Sequence, residues 1–134
     1  MRTLTPYISF YGRCREALDF YAAAFNGKVV LAQTFGEANM NTDEKTKDLI
    51  MHSVFEAEGI QIMATDGSSP DEIHTAGGAV SLALGLTDTS EQDKIFTALA
   101  VDGKVLLSLQ DMFWGDRFGM VQDKFGINWM LNCS

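Results

Sequence analysis

Only two cysteines and two prolines occur in the 134 residues. Cys14 and Cys133 stand near opposite ends with no C-x-x-C spacing, which excludes a sequence-local zinc or redox motif. In a reducing compartment they are expected as free thiols. Positive charge is also scarce: ten Lys and Arg against eighteen Asp and Glu give a net charge of −8. Such a chain repels phosphate backbones, and its cations form no stripe, so a nucleic-acid partner is excluded. No apolar run has membrane-crossing length, and "MRTLTPYISF" holds no signal-peptide core. The expectation is a cytoplasmic protein with no membrane partner. A phosphate loop, a dinucleotide glycine fingerprint, an H-E-x-x-H pair and a nucleophile elbow are all missing, so no cofactor is predicted.

Hydrophobic residues are not scarce: they make up 46% of the chain, enough for a packed core without staples. The length fits a single domain over 1–134. Within it the sequence nearly repeats itself. "AFNGKVVL" (24–31) and "AVDGKVLL" (100–107) agree at five of eight positions. Farther on, "GIQIM" (59–63) and "GINWM" (126–130) agree at three of five. One such match is what chance gives among Val- and Leu-rich strands. Two in the same order, flanking similar helices, favour a duplicated unit.

The helices are read from spacing. Ala17, Leu18, Tyr21 and Phe25 recur with helical period over 14–25, and Ile95, Phe96 and Leu99 do so over 90–101. Ser90 is the expected N-cap of the second helix. Asn26-Gly27 and Asp102-Gly103 follow the helices, and a left-handed glycine is expected to end each one. Strand-like runs occupy 6–12, 49–57, 59–65, 79–86, 117–122 and 126–132, besides those after each Gly-Lys. Each half therefore reads strand–helix–strand–strand–strand: module one 1–66, a linker 67–78 and module two 79–134. The polar loop 37–48 lengthens the first copy.

Glu58-Gly59 reads as a two-residue hairpin turn, so paired residue numbers across it sum to 117. Met63 then opposes Val54, and His52, Val54, Gln61, Met63 and Thr65 share one face. Ile60, Ile62, Phe55 and Ala64 are expected to face the helix as core. His52 is a candidate general base or anion anchor, and equally a strand histidine satisfied by Thr65 or water. Asp66 is a candidate partner in catalysis, and equally a turn former. His74 is expected to be exposed in the linker. Trp114 and Arg117 can supply apolar area and a carboxylate-binding fork, or else core and solvent-facing residues. Phe118 and Trp129 are expected in the core.

Two βαβββ modules in one chain resemble the vicinal oxygen chelate superfamily of glyoxalase I, bleomycin-resistance proteins and extradiol dioxygenases. "TPYISFYGRCREALDFYAAAF", "MHSVFEAEGIQIMATD" and above all "WGDRFGMVQDKFGINWML" resemble its PhnB-like subgroup. The resemblance implies an α+β fold of two modules whose mixed sheets curve around a cleft, in a homodimer. It also implies that superfamily metal ligands would fall on Pro6, Met63, Leu82 (or Ser81) and Met130. None of these supplies the His or carboxylate such sites use, so no metal is expected. The functional expectation is a metal-independent protein that encloses a small molecule in an apolar cleft, with His52, Gln61, Met63, Trp114, Arg117 and Met130 as ligand-binding candidates. The alternative is an enzyme of isomerase, lyase or dioxygenase type using His52 or a metal at a shifted site. Proteins resembling this one carry a demethylubiquinone methyltransferase label, but no stretch reads as a cofactor site for that reaction.

Overall fold

One helix of this protein begins at a residue distant in sequence and the other at a local cap. In the computed structural model, which describes residues 2–38, 44–67 and 79–134, the chain forms two compact units, Met1–His74 and Thr75–Ser134. His74 lies outside the described residues. Unit one contains β1 (Tyr7–Ser9), α1 (Cys14–Phe25), β2 (Lys28–Thr34), β3 (Ile50–Ala57) and β4 (Ile60–Thr65). Unit two contains β5 (Leu82–Leu86), α2 (Thr89–Ala100), β6 (Lys104–Asp111), β7 (Arg117–Gln122) and β8 (Asn128–Cys133). The α+β architecture of two mixed four-stranded sheets follows, ordered β1-β4-β3-β2 and β5-β8-β7-β6. In each sheet the first and last strands of the module pair in parallel and the remaining neighbours are antiparallel.

The periodic apolar residues are the ones that bury. Ala17, Leu18, Tyr21 and Phe25 of α1 are buried together with Phe55, Ile62 and Ala64 of the sheet beneath. Ile60, expected with them at the hairpin end, is only half-buried. Tyr21, Phe25 and Phe55 approach one another with ring centroids 6.0–6.5 Å apart, at tilted angles that suit the ring quadrupoles. In unit two, Ile95, Phe96 and Leu99 of α2 are buried, as are Val121, Trp129 and Leu131 of the sheet.

The helix ends differ from the sequence expectation in instructive ways. The left-handed residues are Asn26 (φ 54) and Asp102 (φ 57), not the glycines after them. The glycines serve close approach instead. A Cβ on Gly27 would stand 2.6 Å from the Glu56 carbonyl oxygen and from the Phe55 ring; one on Gly103 would collide with the Gln122 carbonyl oxygen. The cap of α2 is Asp88, whose Oδ1 accepts from Ser90 N at 2.9 Å, so Ser90 donates rather than caps. The residue at the cap position of α1, Arg13, makes no side-chain cap bond. Asp66, 52 positions away in sequence, accepts from Cys14 N at 2.7 Å and closes that helix end.

The repeated "GKVVL" and "GKVLL" share one further feature. Pairing of β2 with β3 shifts between Val29 and Leu31, and pairing of β6 with β7 shifts between Val105 and Leu107. Both edge strands thus carry an irregularity at the same repeat position, Val30 and Leu106, and both residues are exposed. Such bulges twist an edge away from unwanted pairing.

Candidate functional site

A four-stranded sheet with one helix has one covered face and one open face. In unit one the open face is set by the hairpin. Glu58-Gly59 makes the two-residue turn, with Gly59 at φ 73, and the pairs Val54–Met63, Phe55–Ile62 and Glu56–Gln61 fall in the register expected from the sequence. Phe55 and Ile62 go under α1, so Val54, Met63, Glu56 and Gln61 alternate to the open side. Parallel pairing adds Tyr7 opposite Met63, and the β2 partner adds Leu31 opposite Val54. Across the middle of the sheet this gives the row Tyr7, Met63, Val54, Leu31.

His52 stands on this face beside the row. Its ring lies nearly parallel to that of Tyr7, with centroids 5.7 Å apart and 15° between planes. The Tyr7 hydroxyl and His52 Nδ1 are 3.3 Å apart, within hydrogen-bond reach. Toward the other end of the face, Gln61 Nε2 donates to Glu56 Oε2 at 3.0 Å, and Thr5 Oγ1 donates to Gln61 Oε1 at 3.4 Å. The face therefore carries an aromatic–imidazole pair at one end, aliphatic and thioether groups in the middle and an amide–carboxylate pair at the other end. A shallow concavity at the end of α1, lined by Asn26, Gly27, Lys28, Glu56, Ala57 and Glu58, shares only Glu56 with it.

The remaining candidates are placed as follows. Asp66 is buried, and its two oxygens accept from Cys14 N and Ile50 N, each at 2.7 Å. This carboxylate joins α1 to β3, so the catalytic partnership with His52 gives way to a structural role. Thr65 is buried as well; its hydroxyl donates to the Met51 carbonyl at 2.7 Å rather than to His52. Met63 is half-buried on the open face.

In unit two, Met130 is half-buried between Ala83 and Met120 in the strand pairing. Phe118 alternates with Met120 to the open side, so it is half-buried there rather than part of the core expected for it. Trp129 is core, with Nε1 donating to Asp123 Oδ2 at 2.9 Å. Arg117 alternates to the helix side with Gly119 and Val121. Its guanidinium donates to Gln92 Oε1 at 3.1 Å and pairs with Asp93 Oδ1 at 2.7 Å. That commitment to α2 replaces the carboxylate-binding role expected of it. Trp114, in the loop after β6, is 48% exposed and meets Phe118 edge-on at 6.0 Å.

The sequence reading missed Tyr7. The only local signal was its place in a strand-like run, and its contact with His52 depends on parallel pairing across 56 residues of chain. The same pairing corrects the positions implied for metal ligands: Tyr7 rather than Pro6 is the residue opposite Met63, and Ala83 rather than Leu82 or Ser81 is opposite Met130. A phenol, an alanine methyl and two thioethers do not fit a divalent ion that wants imidazole and carboxylate donors. Among the described residues, no three His, Cys, Asp or Glu side chains gather as a metal would require.

Neither cysteine offers a nucleophile. Both are free and buried. Burial pushes the Cys14 thiol up to about 12, against partial relief from the Ser53 hydroxyl. A thiol so protonated is inert at neutral pH.

Comparison with known proteins gives matches along almost the whole chain. The family described as 3-demethylubiquinone-9 3-methyltransferase matches residues 2–132. The crystal structure of protein PA1353 from Pseudomonas aeruginosa is 33% identical with a TM-score of 0.87, covering 100% of this chain and 98% of that one. A putative 3-demethylubiquinone-9 3-methyltransferase, PhnB protein, from Bacillus cereus is 26% identical with a TM-score of 0.82, covering 99% and 100%. At 14% identity, a glyoxalase-related enzyme from Fulvimarina pelagi shares the fold with a TM-score of 0.63, covering 100% of this chain and 89% of that one.

Proposed function

The chain belongs to the 3-demethylubiquinone-9 3-methyltransferase family, PhnB-like members of the glyoxalase/bleomycin-resistance fold, and on that premise we propose that it binds a small, partly apolar molecule without a metal. The observation that carries this reading is the open face of unit one. Tyr7, Met63, Val54 and Leu31 form an apolar row across it, and polar groups stand only at its ends. Apolar lining with a few directed polar groups is what small-molecule sites are made of. Half-buried Met63 adds a pliable surface. We extend the proposal to a cytoplasmic homodimer, in line with the resemblance that the sequence carries.

Methyl transfer, named in the family description, finds no support at the helix ends. A methyl-donor cofactor with anionic groups is well received at a helix N-terminus. Here carboxylates already fill both: Asp66 at α1 and Asp88 at α2. A second reading is an enzyme using His52 in an isomerase, lyase or dioxygenase type of reaction. Its support is the Tyr7 contact, because a ring nitrogen held by a partner is oriented for proton transfer.

A thermal-shift screen of small aromatic and aliphatic compounds tests the binding reading. A compound at a hundredfold over its Kd stabilises by about 2.7 kcal/mol, and Met63→Glu is expected to abolish that gain. If every compound that raises the melt also does so in Met63→Glu, this face is not the site. Elemental analysis of protein purified without chelator tests the metal-free part. Stoichiometric zinc, nickel, iron or manganese that disappears in His52→Ala overturns it.

A further inference from the structure

Resting on the reading that this face binds small molecules, we infer that Tyr7 is the positioning residue of the site and that the Tyr7–His52 pair selects neutral planar ligands carrying a hydrogen-bond acceptor. The argument begins at His52 Nδ1. A neutral imidazole has one protonated and one bare ring nitrogen, and the hydrogen bond at one fixes the role of the other. Tyr7 Oη lies 3.3 Å from Nδ1. With the phenol donating, Nδ1 is bare and the proton resides on Nε2. Nε2–H is then the donor that the pair offers.

Two further observations define what meets that donor. The Tyr7 and His52 rings are nearly parallel, at 15°, and Tyr7 is 52% exposed. An exposed, stacked pair is a platform for another flat ring. The Glu56 carboxylate stands at the opposite end of the face, four strand positions from His52, or about 13 Å at ~3.3 Å per residue. Lys28 is its partner across β2 and β3, so that end carries no net charge, and the chain's net charge of −8 is what disfavours an anion. A flat, uncharged ring bearing a carbonyl satisfies the platform, the Nε2–H donor and the charge. Met63 and Val54 would receive its apolar remainder.

The test uses the whole chain and needs no natural ligand. Long-range nitrogen–proton spectra of labelled protein, with the imidazole neutral, report which ring nitrogen carries the proton. The expected result is a bare, hydrogen-bonded Nδ1 in the wild type that loses the hydrogen-bonded shift in Tyr7→Phe, a variant that keeps the ring and the fold. A protonated Nδ1, or an Nδ1 unchanged in Tyr7→Phe, overturns the inference. Acetophenone and toluene then serve as probes, followed at the His52 ring and the Met63 methyl. Acetophenone is expected to bind about three- to tenfold more tightly than toluene, the worth of one net hydrogen bond. Tyr7→Phe is expected to weaken acetophenone by about two- to threefold and to leave toluene unchanged. Equal binding of the two probes, or no effect of Tyr7→Phe, overturns the inference while the face remains a binding site. If neither probe perturbs Met63, Val54 or Leu31 in the wild type, the binding reading fails and the ligand class fails with it.

Discussion

The open faces of the two units follow one plan with different chemistry. The row Tyr7, Met63, Val54, Leu31 in unit one has the counterpart Ala83, Met130, Met120, Leu107 in unit two, by strand pairing as well as by repeat. Gln61 bonded to Glu56 corresponds to Gln122 bonded to Asn128, each at 3.0 Å. Where unit one stacks His52 on Tyr7, unit two has Phe118 meeting Trp114. His52, Tyr7 and Glu56 of the first face thus have the neutral counterparts Phe118, Ala83 and Gln122 in the second, while Lys28 opposite Glu56 is matched by Lys104 opposite Gln122. The two faces share a backbone plan, and among the described residues the aromatic–imidazole pair belongs to the first alone. With His52 and Tyr7 on its face, unit one is the better place to seek recognition of a polar group.

The comparison breaks most sharply at the buried carboxylates. Asp66 ties α1 to β3 through two backbone N–H groups. Asp123 holds the β7–β8 turn through Phe125 N and Ile127 N and also accepts from the Trp129 indole. Asp66→Ala strands two buried donors, and Asp123→Ala strands one buried and two part-buried donors. At ~1.5–3 kcal/mol for each bond to a charged acceptor, Asp66→Ala should lower stability by about 3–6 kcal/mol and Asp123→Ala by at least about 4 kcal/mol. Urea unfolding measures this as a large fall in midpoint. A loss below about 1 kcal/mol in Asp66→Ala would return that carboxylate to candidacy as a functional group.

The next largest effect sharpens the likeness. Gly27 and Gly103 occupy equivalent repeat positions, and in each a Cβ meets the carbonyl of the last residue or last but one of a neighbouring strand. Backbone carbonyls in a paired sheet have little freedom to retreat. Gly27→Ala and Gly103→Ala should each cost about 1–3 kcal/mol, the usual range for overpacking. Urea midpoints of the two variants, compared side by side, check it. If one costs nothing while the other unfolds the chain, the two Gly-Lys strands are not equivalent after all.

These residues also explain what could be read from sequence. Strands β3 and β4 and their shared face were legible because a two-residue turn fixes register by arithmetic. The helices were legible because Tyr21, Phe25, Ile95 and Leu99 keep helical period into the core. The role of Tyr7 was not legible, since no local turn sets a parallel pair. Phe118 faces the other way from expectation, and the facing of Arg117 is open in the sequence, because their alternation is counted from β8, beyond a turn of unsettled length. "WGDRFGMVQDKFGINWML" was the most family-specific phrase, yet most of its fixed contacts are scaffold: Asp123 in the turn, Trp129 in the core, Gly119 against Phe96 and Leu109. The phrase identified the fold well and the site poorly for the same reason.

The smallest effect concerns Cys14, which lies buried between α1 and β3 and lies 3.8 Å from the Ser53 hydroxyl. Its thiol is pushed up from 9.0 to about 12 by burial. The neutral form is the one the folded state retains. Below about pH 8 the thiol is protonated whether the chain is folded or not, so it contributes no pH dependence there. Above 9.0 the unfolded chain releases the proton while the folded chain holds it to about 12, and folding stability declines through that window. The slope reaches at most about 1.4 kcal/mol per pH unit. Tyrosines and lysines titrate over the same range, so the informative quantity is the difference between wild type and Cys14→Ala. The variant should be less stable at neutral pH and should lose less with each step above pH ~9. Parallel alkaline limbs would mean that Cys14 ionises as readily in the folded chain as in the unfolded one, and a thiol reagent would then label it without unfolding.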